Sequence, residues 1–400
     1  MTALADMAPF RLFVITGEAS GDVLAASFVE ALRKRLAPRQ VSVSGVGGPA
    51  LEHLGLVSRF PQTDIQIIGV LAVLKNLPTV LSRISETVDA IVDAEPDLVL
   101  SVDVPDFSMR VAKRVRRTSA AIPIIHCVAP TVWAWRPGRA KAIAPYVDRL
   151  LALLPFEPAI LRDLGGPPTT YVGHPLLDMA SQIRPDQDEE RIRENVAAPV
   201  ILVLPGSRRS EIRHLLPVMR ESVRLIAARY PHARLVIPAV PHLADAIAAD
   251  VAGWPVKPEI VLGDAAKRSA FRRARVALAA SGTVTLELAF AGIPLVGAYR
   301  GNPLEAWIAR RMIKVHSVLL CNLVLARNVA PEFLQEQVTP QALADATMAL
   351  MPDGPVRQQQ IEAFASLDQI MQLPGGKTSA ETAVEVALDL LNGRNSVQMT

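Results

Sequence analysis

Aromatic residues are scarce in this 400-residue chain, where Phe, Trp and Tyr make up 4%. That argues against a surface on which single-stranded nucleic acid would stack, and no nucleic acid partner is expected. Cysteine is scarcer still. Cys127 and Cys321 are too few for a disulfide framework, and no Cys/His cluster has zinc-ligand spacing. The chain therefore reads as cytoplasmic, reduced and without a metal site. Long apolar runs are also missing. The best candidate, Thr118 to Trp135, is interrupted by Pro123, His126 and Pro130, whereas a membrane span needs about 20 mostly apolar residues. No basic leader with a sustained apolar run precedes Gly17 and Glu18, so a signal peptide is not expected.

Several motifs fail to match, and each failure narrows the reading. There is no G-x-x-x-x-G-K-[ST] loop, which weakens an NTPase assignment. Gly17 to Gly21 misses the G-x-S-x-G nucleophile elbow by one position. The single D-x-D, Asp186-Gln-Asp188, lies in a charged stretch and not at a strand end. Gly45-Val-Gly-Gly-Pro-Ala50 fits a dinucleotide fingerprint, but Pro49 removes an amide from the turn that would face phosphate. No cofactor is expected.

What is present is a folded, strongly apolar chain: 50% of residues are hydrophobic and 20% charged. Short, uniformly apolar runs alternate with helical spacing, as in Arg11–Thr16, Asp97–Val102, Ile122–Ile125 and Arg149–Leu154. Strands without in-out alternation, separated by helices, indicate a parallel sheet covered on both faces. The charged segment Arg184–Glu194 reads as an interdomain connection, after which the rhythm restarts at Val200–Leu204 and continues through Pro294–Gly297. The prediction is α/β, with two doubly wound, Rossmann-like domains facing a ligand cleft: 1–178, 195–345, and a helical segment 346–400 that packs back on the first domain or is exchanged in a dimer.

Charge is uneven despite a net +3: between Arg110 and Arg149 nine basic residues face one acid, Asp148. Such a patch suits nucleic acid, anionic lipid or a phosphorylated small molecule, and equally a solvated helix face.

Candidate chemistry sits in loops that follow strands. Gly17, Glu18, Ser20, Gly21 and Asp22 follow the first; they are either a ligand loop with free amides or a turn whose Ser20 or Asp22 caps a helix. Asp103 and Asp106, in Ser101-Val-Asp-Val-Pro-Asp-Phe107, follow another strand as a general base or as a cap plus a surface charge. Trp133, Trp135 and Arg136 put two amphipathic rings beside cationic groups, which suits a phosphorylated, partly apolar ligand or an interface. In the second half Gly206, Ser207 and Arg208 can bind a phosphate oxygen, and Ser281, Gly282 and Thr283 repeat the arrangement at a helix start. Glu287, one turn on, can accept from ribose hydroxyls. Two anion sites in one half indicate a diphosphate.

Gly-Glu-Ala-Ser-Gly-Asp (17–22), Asp-Val-Pro-Asp-Phe (103–107) and Val-Trp-Ala-Trp-Arg (132–136) resemble the bacterial lipid-A-disaccharide synthase family. So do Leu-Pro-Phe-Glu (154–157), Gly-His-Pro (173–175), Pro-Gly-Ser-Arg (205–208) and Ser-Gly-Thr (281–283), in the family's order from about residue 11 to 336. The resemblance implies a GT-B glycosyltransferase that joins UDP-2,3-diacylglucosamine to 2,3-diacylglucosamine 1-phosphate at the inner leaflet, without a metal. It implies Asp103 as base, with Glu18 and Ser20 beside it. Arg208 and the amides near Ser281 would stabilise departing UDP, and Asn322, Gln335 and Glu336 would line the nucleotide pocket. A homodimer and peripheral membrane association follow by the same resemblance. Ala19, Ala129 and Thr131 depart from the family's usual residues. The apolar segment Ile65–Leu74 would either dip into the membrane interface or pack in the core. Two other readings are a UDP-N-acetylglucosamine 2-epimerase and a non-catalytic protein that binds anionic lipid.

Overall fold

The computed structural model describes residues 8–66, 77–302 and 315–398, so residues 67–74 of the apolar segment Ile65–Leu74 lie outside the described residues. The chain forms two compact units, Met1–Pro175 with Leu373–Thr400, and Leu176–Gln372.

In the first unit six parallel strands stand in the order β2-β1-β3-β4-β5-β6. They are β1 (Phe10–Thr16), β2 (Val41–Val46), β3 (Leu98–Val102), β4 (Ile124–Cys127), β5 (Arg149–Ala152) and β6 (Thr169–Tyr171). Every residue of β3 and β4 is buried, because helices cover both faces and leave no side for polar alternation. Successive residues of β1 serve opposite cores: Phe13 and Ile15 on one face, Leu12 and Val14 on the other.

The second unit repeats the plan. Its strands β7 (Val200–Leu204), β8 (Arg234–Ala239), β9 (Glu259–Leu262), β10 (Val276–Ala280), β11 (Leu295–Tyr299) and β12 (Glu332–Leu334) are all parallel, in the order β12-β11-β10-β7-β8-β9. That is the Rossmann order.

In each sheet the winding direction reverses once, between β1 and β3 in the first and between β7 and β10 in the second. At such a point the loops leaving the two strands diverge to opposite faces and open a crevice at their carboxyl ends. Those loops are the ones that begin at Gly17, Asp103, Pro205 and Ser281.

Two expectations are corrected. The charged segment 184–194 is a folded part of the second unit and not a connection. Asp186 caps the helix Gln187–Glu194 in a capping box with Glu189, and buried Arg193 donates to the carbonyls of Ala291 and Phe271 at 3.0 and 3.1 Å. Asp186 is thus spent on a helix end. Nor do residues 346–400 form one segment. The helices Pro355–Ala365 and Leu367–Met371 stay with the second unit. Only Ser379–Gln398 joins the first, against the helix Ala19–Leu36, where Ala383, Val384 and Ala387 complete a core. Its first residue is tied down by a 3.0 Å hydrogen bond from Ser379 Oγ to the Gly173 carbonyl.

Candidate functional site

At the crevice of the first sheet the loops after β1 and β3 touch. A Cβ on Gly17 would lie 2.4 Å from Val104 Cγ1, and one on Gly21 would meet the Asp103 Cβ at 3.6 Å. Asp103 sits in the left-handed region (φ 58°), followed by Val104 (φ 42°); Val128, just beyond β4, has φ 69°. Left-handed backbone is costly for β-branched residues, of order 1–3 kcal/mol each, and such strain gathers at functional sites. Asp103 Oδ1 accepts from the Val104 amide at 2.9 Å, its own amide donates to the Cys127 carbonyl at 3.1 Å, and its carbonyl accepts from Ser108 Oγ at 3.1 Å. The backbone of Asp103 is therefore pinned at the end of β3 from both its amide and its carbonyl, and one carboxylate oxygen is held by the next amide.

Glu18 is the N-cap of the helix Ala19–Leu36, and Ser20 is exposed in its first turn. Asp22 has a structural task instead: buried, it accepts from the amides of Gly48 and Ala50 at 2.7 and 2.8 Å. The dinucleotide-like turn Gly45–Ala50 thus spends its amides on the chain's own carboxylate. Asp106 is paired with Arg139 at 2.6 Å.

The two tryptophans are divided between the two sides of the four-residue helix Val132–Trp135. Trp133 is buried; its Nε1–H donates to Glu157 Oε1 at 3.2 Å and its ring meets Phe156 edge-on at 5.0 Å. Trp135 is 37% exposed, with the Arg136 guanidinium 4.1 Å above its ring.

Burial governs the titratable groups beneath these loops. It pushes the His126 imidazole down to about 3 and His174 down to about 4. It pushes the Glu157 carboxyl up to about 7, against hydrogen bonds from Leu154, Trp133 and Leu153. His126 on β4 is wholly buried, with Nδ1 2.8 Å from Ser101 Oγ and, among the described residues, no partner at Nε2. The signs oppose. Each histidine contributes stability that is present above its ordinary value of 6.5 and lost as pH falls toward 4 and 3. Glu157 contributes stability that is present below its ordinary 4.5 and lost as pH rises through about 7. Two outweigh one, so unfolding free energy is expected to fall by roughly 1.4 kcal/mol per pH unit between pH 6.5 and 4.5. Urea denaturation across that range checks this; a flat profile, or one as steep in His126→Gln as in the parent, would refute it.

In the second unit a cavity of about 390 Å³ opens at the carboxyl ends of β7 to β10. Gly206, Ser207, Arg208, Ser281, Gly282, Thr283 and Glu287 all line it, as do Glu211 and Lys267, which the sequence reading missed. Glu211 organises the first loop: its Oε2 accepts from the amides of Ser207 and Arg208 at 3.0 and 3.3 Å, and its Oε1 pairs with the Arg208 guanidinium at 3.2 Å. The Ser207 amide is therefore not a vacant phosphate donor. The signal for Glu211 was its place three residues after the helix cap, where a carboxylate reaches back to the loop. A Cβ on Gly282 would meet nothing within 4 Å, so the second loop leaves room at the mouth of the cavity. Lys267 pairs with Glu287 and fixes it on the cavity wall. Nothing in the sequence distinguishes Lys267 from other surface lysines.

Three predicted residues fall elsewhere among the described residues. Asn322 is fully buried and saturated: it donates to Ser317 Oγ and the Ala330 carbonyl, and it accepts from the amides of Val329 and Ala330. It shapes the loop between the helix Leu320–Val324 and β12 and does not line the cavity. Gln335 (φ 54°) accepts from the Gly301 amide at 3.3 Å, and Glu336 is exposed beside it. Among the described residues no group of three His, Cys, Asp or Glu is placed to hold a metal.

Two Rossmann-like units, the second with a cavity at its switch point, define the GT-B fold class. Within that class, the chain belongs to the lipid-A-disaccharide synthase family: the family model described as lipid-A-disaccharide synthetase matches residues 12–383. The lipid-A-disaccharide synthase of Nitrobacter hamburgensis is 50% identical over 382 residues, 96% of each chain. That of Rhodospirillum centenum is 44% identical over 385 residues, 95% of each. Among solved structures, the UDP-GlcNAc 2-epimerase from Neisseria meningitidis, bound to UDP-GlcNAc, superposes with a TM-score of 0.63 at 13% identity, covering 95% of this chain and 100% of that one. CalG4, the calicheamicin glycosyltransferase, gives 0.58 at 17%, covering 96% and 99%. At such identities the likeness is one of fold, and the epimerase reading is not favoured. The chain is a UDP-sugar-dependent glycosyltransferase that forms lipid A disaccharide.

Proposed function

We propose that this enzyme condenses UDP-2,3-diacylglucosamine with 2,3-diacylglucosamine 1-phosphate, giving the β-1,6 disaccharide 1-phosphate and UDP. The acceptor 6-hydroxyl attacks the donor's anomeric carbon with inversion as the bond from that carbon to the diphosphate oxygen breaks. Asp103 takes the hydroxyl proton, with Glu18 and Ser20 on the adjoining loop. Arg208, freed from Glu211, and the Ser281–Thr283 loop meet the charge that develops on UDP; Glu287 takes the ribose. Trp135, Arg136 and the Asp106–Arg139 pair receive the acceptor, with Trp133 beneath. Asn322, Gln335 and Glu336 are kept on the nucleotide side by the family resemblance, Asn322 through the loop that it holds before β12. The observation that carries the reading is the gathering of the Gly206–Arg208 and Ser281–Thr283 loops, Glu287 and Lys267 on one cavity.

Purified enzyme given both acylated substrates with EDTA should release UDP only when acceptor is present, and the lipid product should have the disaccharide's mass. No release across a range of acyl chains would overturn the proposal; release without acceptor would point to hydrolysis or epimerase-like chemistry. Gly206→Ala should weaken the donor site, since the new Cβ would fall 2.3 Å from Glu211 Oε2 on backbone at φ +114°. The expected cost is about 1–3 kcal/mol of stability with a raised donor KM, checked by thermal unfolding and donor titration.

The same reading places the enzyme peripherally on the cytoplasmic face of the inner membrane. Arg110, Lys113, Arg114 and Arg117 are exposed on the helix Pro105–Thr118, and Arg136 and Lys141 are exposed as well; such charge favours anionic lipid. Among the described residues no helix is long and apolar enough to cross a membrane. Co-sedimentation with anionic against neutral vesicles tests the association, and light scattering tests the homodimer.

A further inference from the structure

We propose that Glu157 is a positioning residue for acceptor recognition, clamping Trp133 so that Trp135 and Arg136 are presented in one fixed pose. The inference rests on the acceptor reading given above.

The helix Val132–Trp135 is a single turn, too short to hold its own geometry in water. It follows Val128, whose left-handed backbone turns the chain out of β4. Something outside the turn must fix it, and two contacts do: the hydrogen bond from Trp133 Nε1–H to Glu157 Oε1 and the edge-on stack of Trp133 on Phe156. Both partners stand at the start of the helix Glu157–Asp163 that follows β5, Phe156 as its N-cap, so the exits of β4 and β5 are tied together at one point. The other carboxylate oxygen of Glu157 accepts from the Leu154 amide at 3.1 Å, which stiffens that loop as well. A carboxylate that is only 3% exposed is an expensive way to fill a core position. An apolar residue would serve packing alone, whereas two acceptor oxygens serve the indole and the amide together. Because Trp135 lies two residues beyond Trp133 on a single turn, a shift of the turn at Trp133 would carry the exposed Trp135–Arg136 pair with it.

The test is a set of steady-state measurements on the full chain. Glu157→Ala is expected to raise acceptor KM about 10- to 100-fold, the loss of a buried hydrogen bond that leaves the indole N–H unpaired, with kcat and donor KM held within about threefold. Glu157→Gln keeps one acceptor oxygen and should recover most of the affinity. Trp133→Phe keeps the ring edge and loses the N–H, so it should act in the same direction; combined with Glu157→Ala it should add little, as coupled partners do. If Glu157→Ala does not fold, Trp133→Phe carries the test, and an unchanged acceptor KM in that variant overturns the proposal. So does a uniform fall in kcat with both KM values unmoved, which a merely structural role would give. Trp135→Ala and Arg136→Ala separate the two levels. If they raise acceptor KM while the Glu157 and Trp133 variants do not, positioning by Glu157 is wrong and the acceptor reading stands. If they leave it unchanged, the acceptor reading fails and takes this inference with it.

Discussion

Asp103→Asn is expected to lower kcat by about 10²–10⁴-fold, the usual worth of a positioned general base, with little change in melting temperature. Asparagine is the informative replacement because residue 103 has φ 58°, a conformation that asparagine tolerates almost as well as aspartate. Its side-chain oxygen can still accept from the Val104 amide, so the loop keeps its shape and only the proton acceptor is removed. Asp103→Ala would add about 1–2 kcal/mol of backbone strain to the chemical loss, which blurs the assignment. Pre-steady-state UDP release with both substrates bound measures the chemical step directly. Turnover within tenfold of the parent in the asparagine variant would remove Asp103 from the base role and turn attention to Glu18.

Arg208→Ala should lower kcat/KM for the donor by about 10²–10³-fold, the loss found when one preorganised group facing developing charge is deleted. Acceptor KM should not move. The loop itself should survive, because Glu211 keeps its hydrogen bonds to the amides of residues 207 and 208. The Arg208–Glu211 ion pair, on a side chain that is 56% exposed, is worth at most about 1 kcal/mol. A large kinetic effect with almost no thermal effect is therefore the expected signature. Arg208→Lys should recover only part of the activity, since a point charge cannot grip two oxygens as a planar fork does. Calorimetry with UDP alone provides the check: unchanged affinity in Arg208→Ala would move Arg208 out of the donor site.

The central strands were legible because each is a short, fully buried apolar run, as in Val200–Leu204 and Val276–Ala280. The loops that carry the chemistry follow from the same fact, since polar residues and glycines after such runs stand at the sheet's carboxyl edge. The edge strands β6 and β12 were not legible: three half-buried residues each, Thr-Thr-Tyr and Glu-Phe-Leu, carry no periodicity. The charged segment 184–194 misled by composition, because an arginine can be buried when its guanidinium satisfies carbonyls from distant turns, as Arg193 does. The hydrogen bonds of Asn322 were not legible for a related reason: a polar side chain in an apolar stretch can serve backbone groups of a neighbouring loop. Trp133 and Trp135 look alike in sequence; which ring turns inward is decided by Glu157 and Phe156, from another loop.

The return of the last helix to the first unit sets the order in which the protein can be finished on the ribosome. Everything from Leu176 to Gln372 belongs to the second unit, and at about 5–20 residues per second its synthesis takes on the order of 10–40 s. Through that interval the face of the Ala19–Leu36 helix that will receive Ala383, Val384 and Ala387 has no partner. The half of the protein made first is the half completed last, and a nascent chain stalled before residue 373 carries an uncovered apolar seam for chaperones to hold.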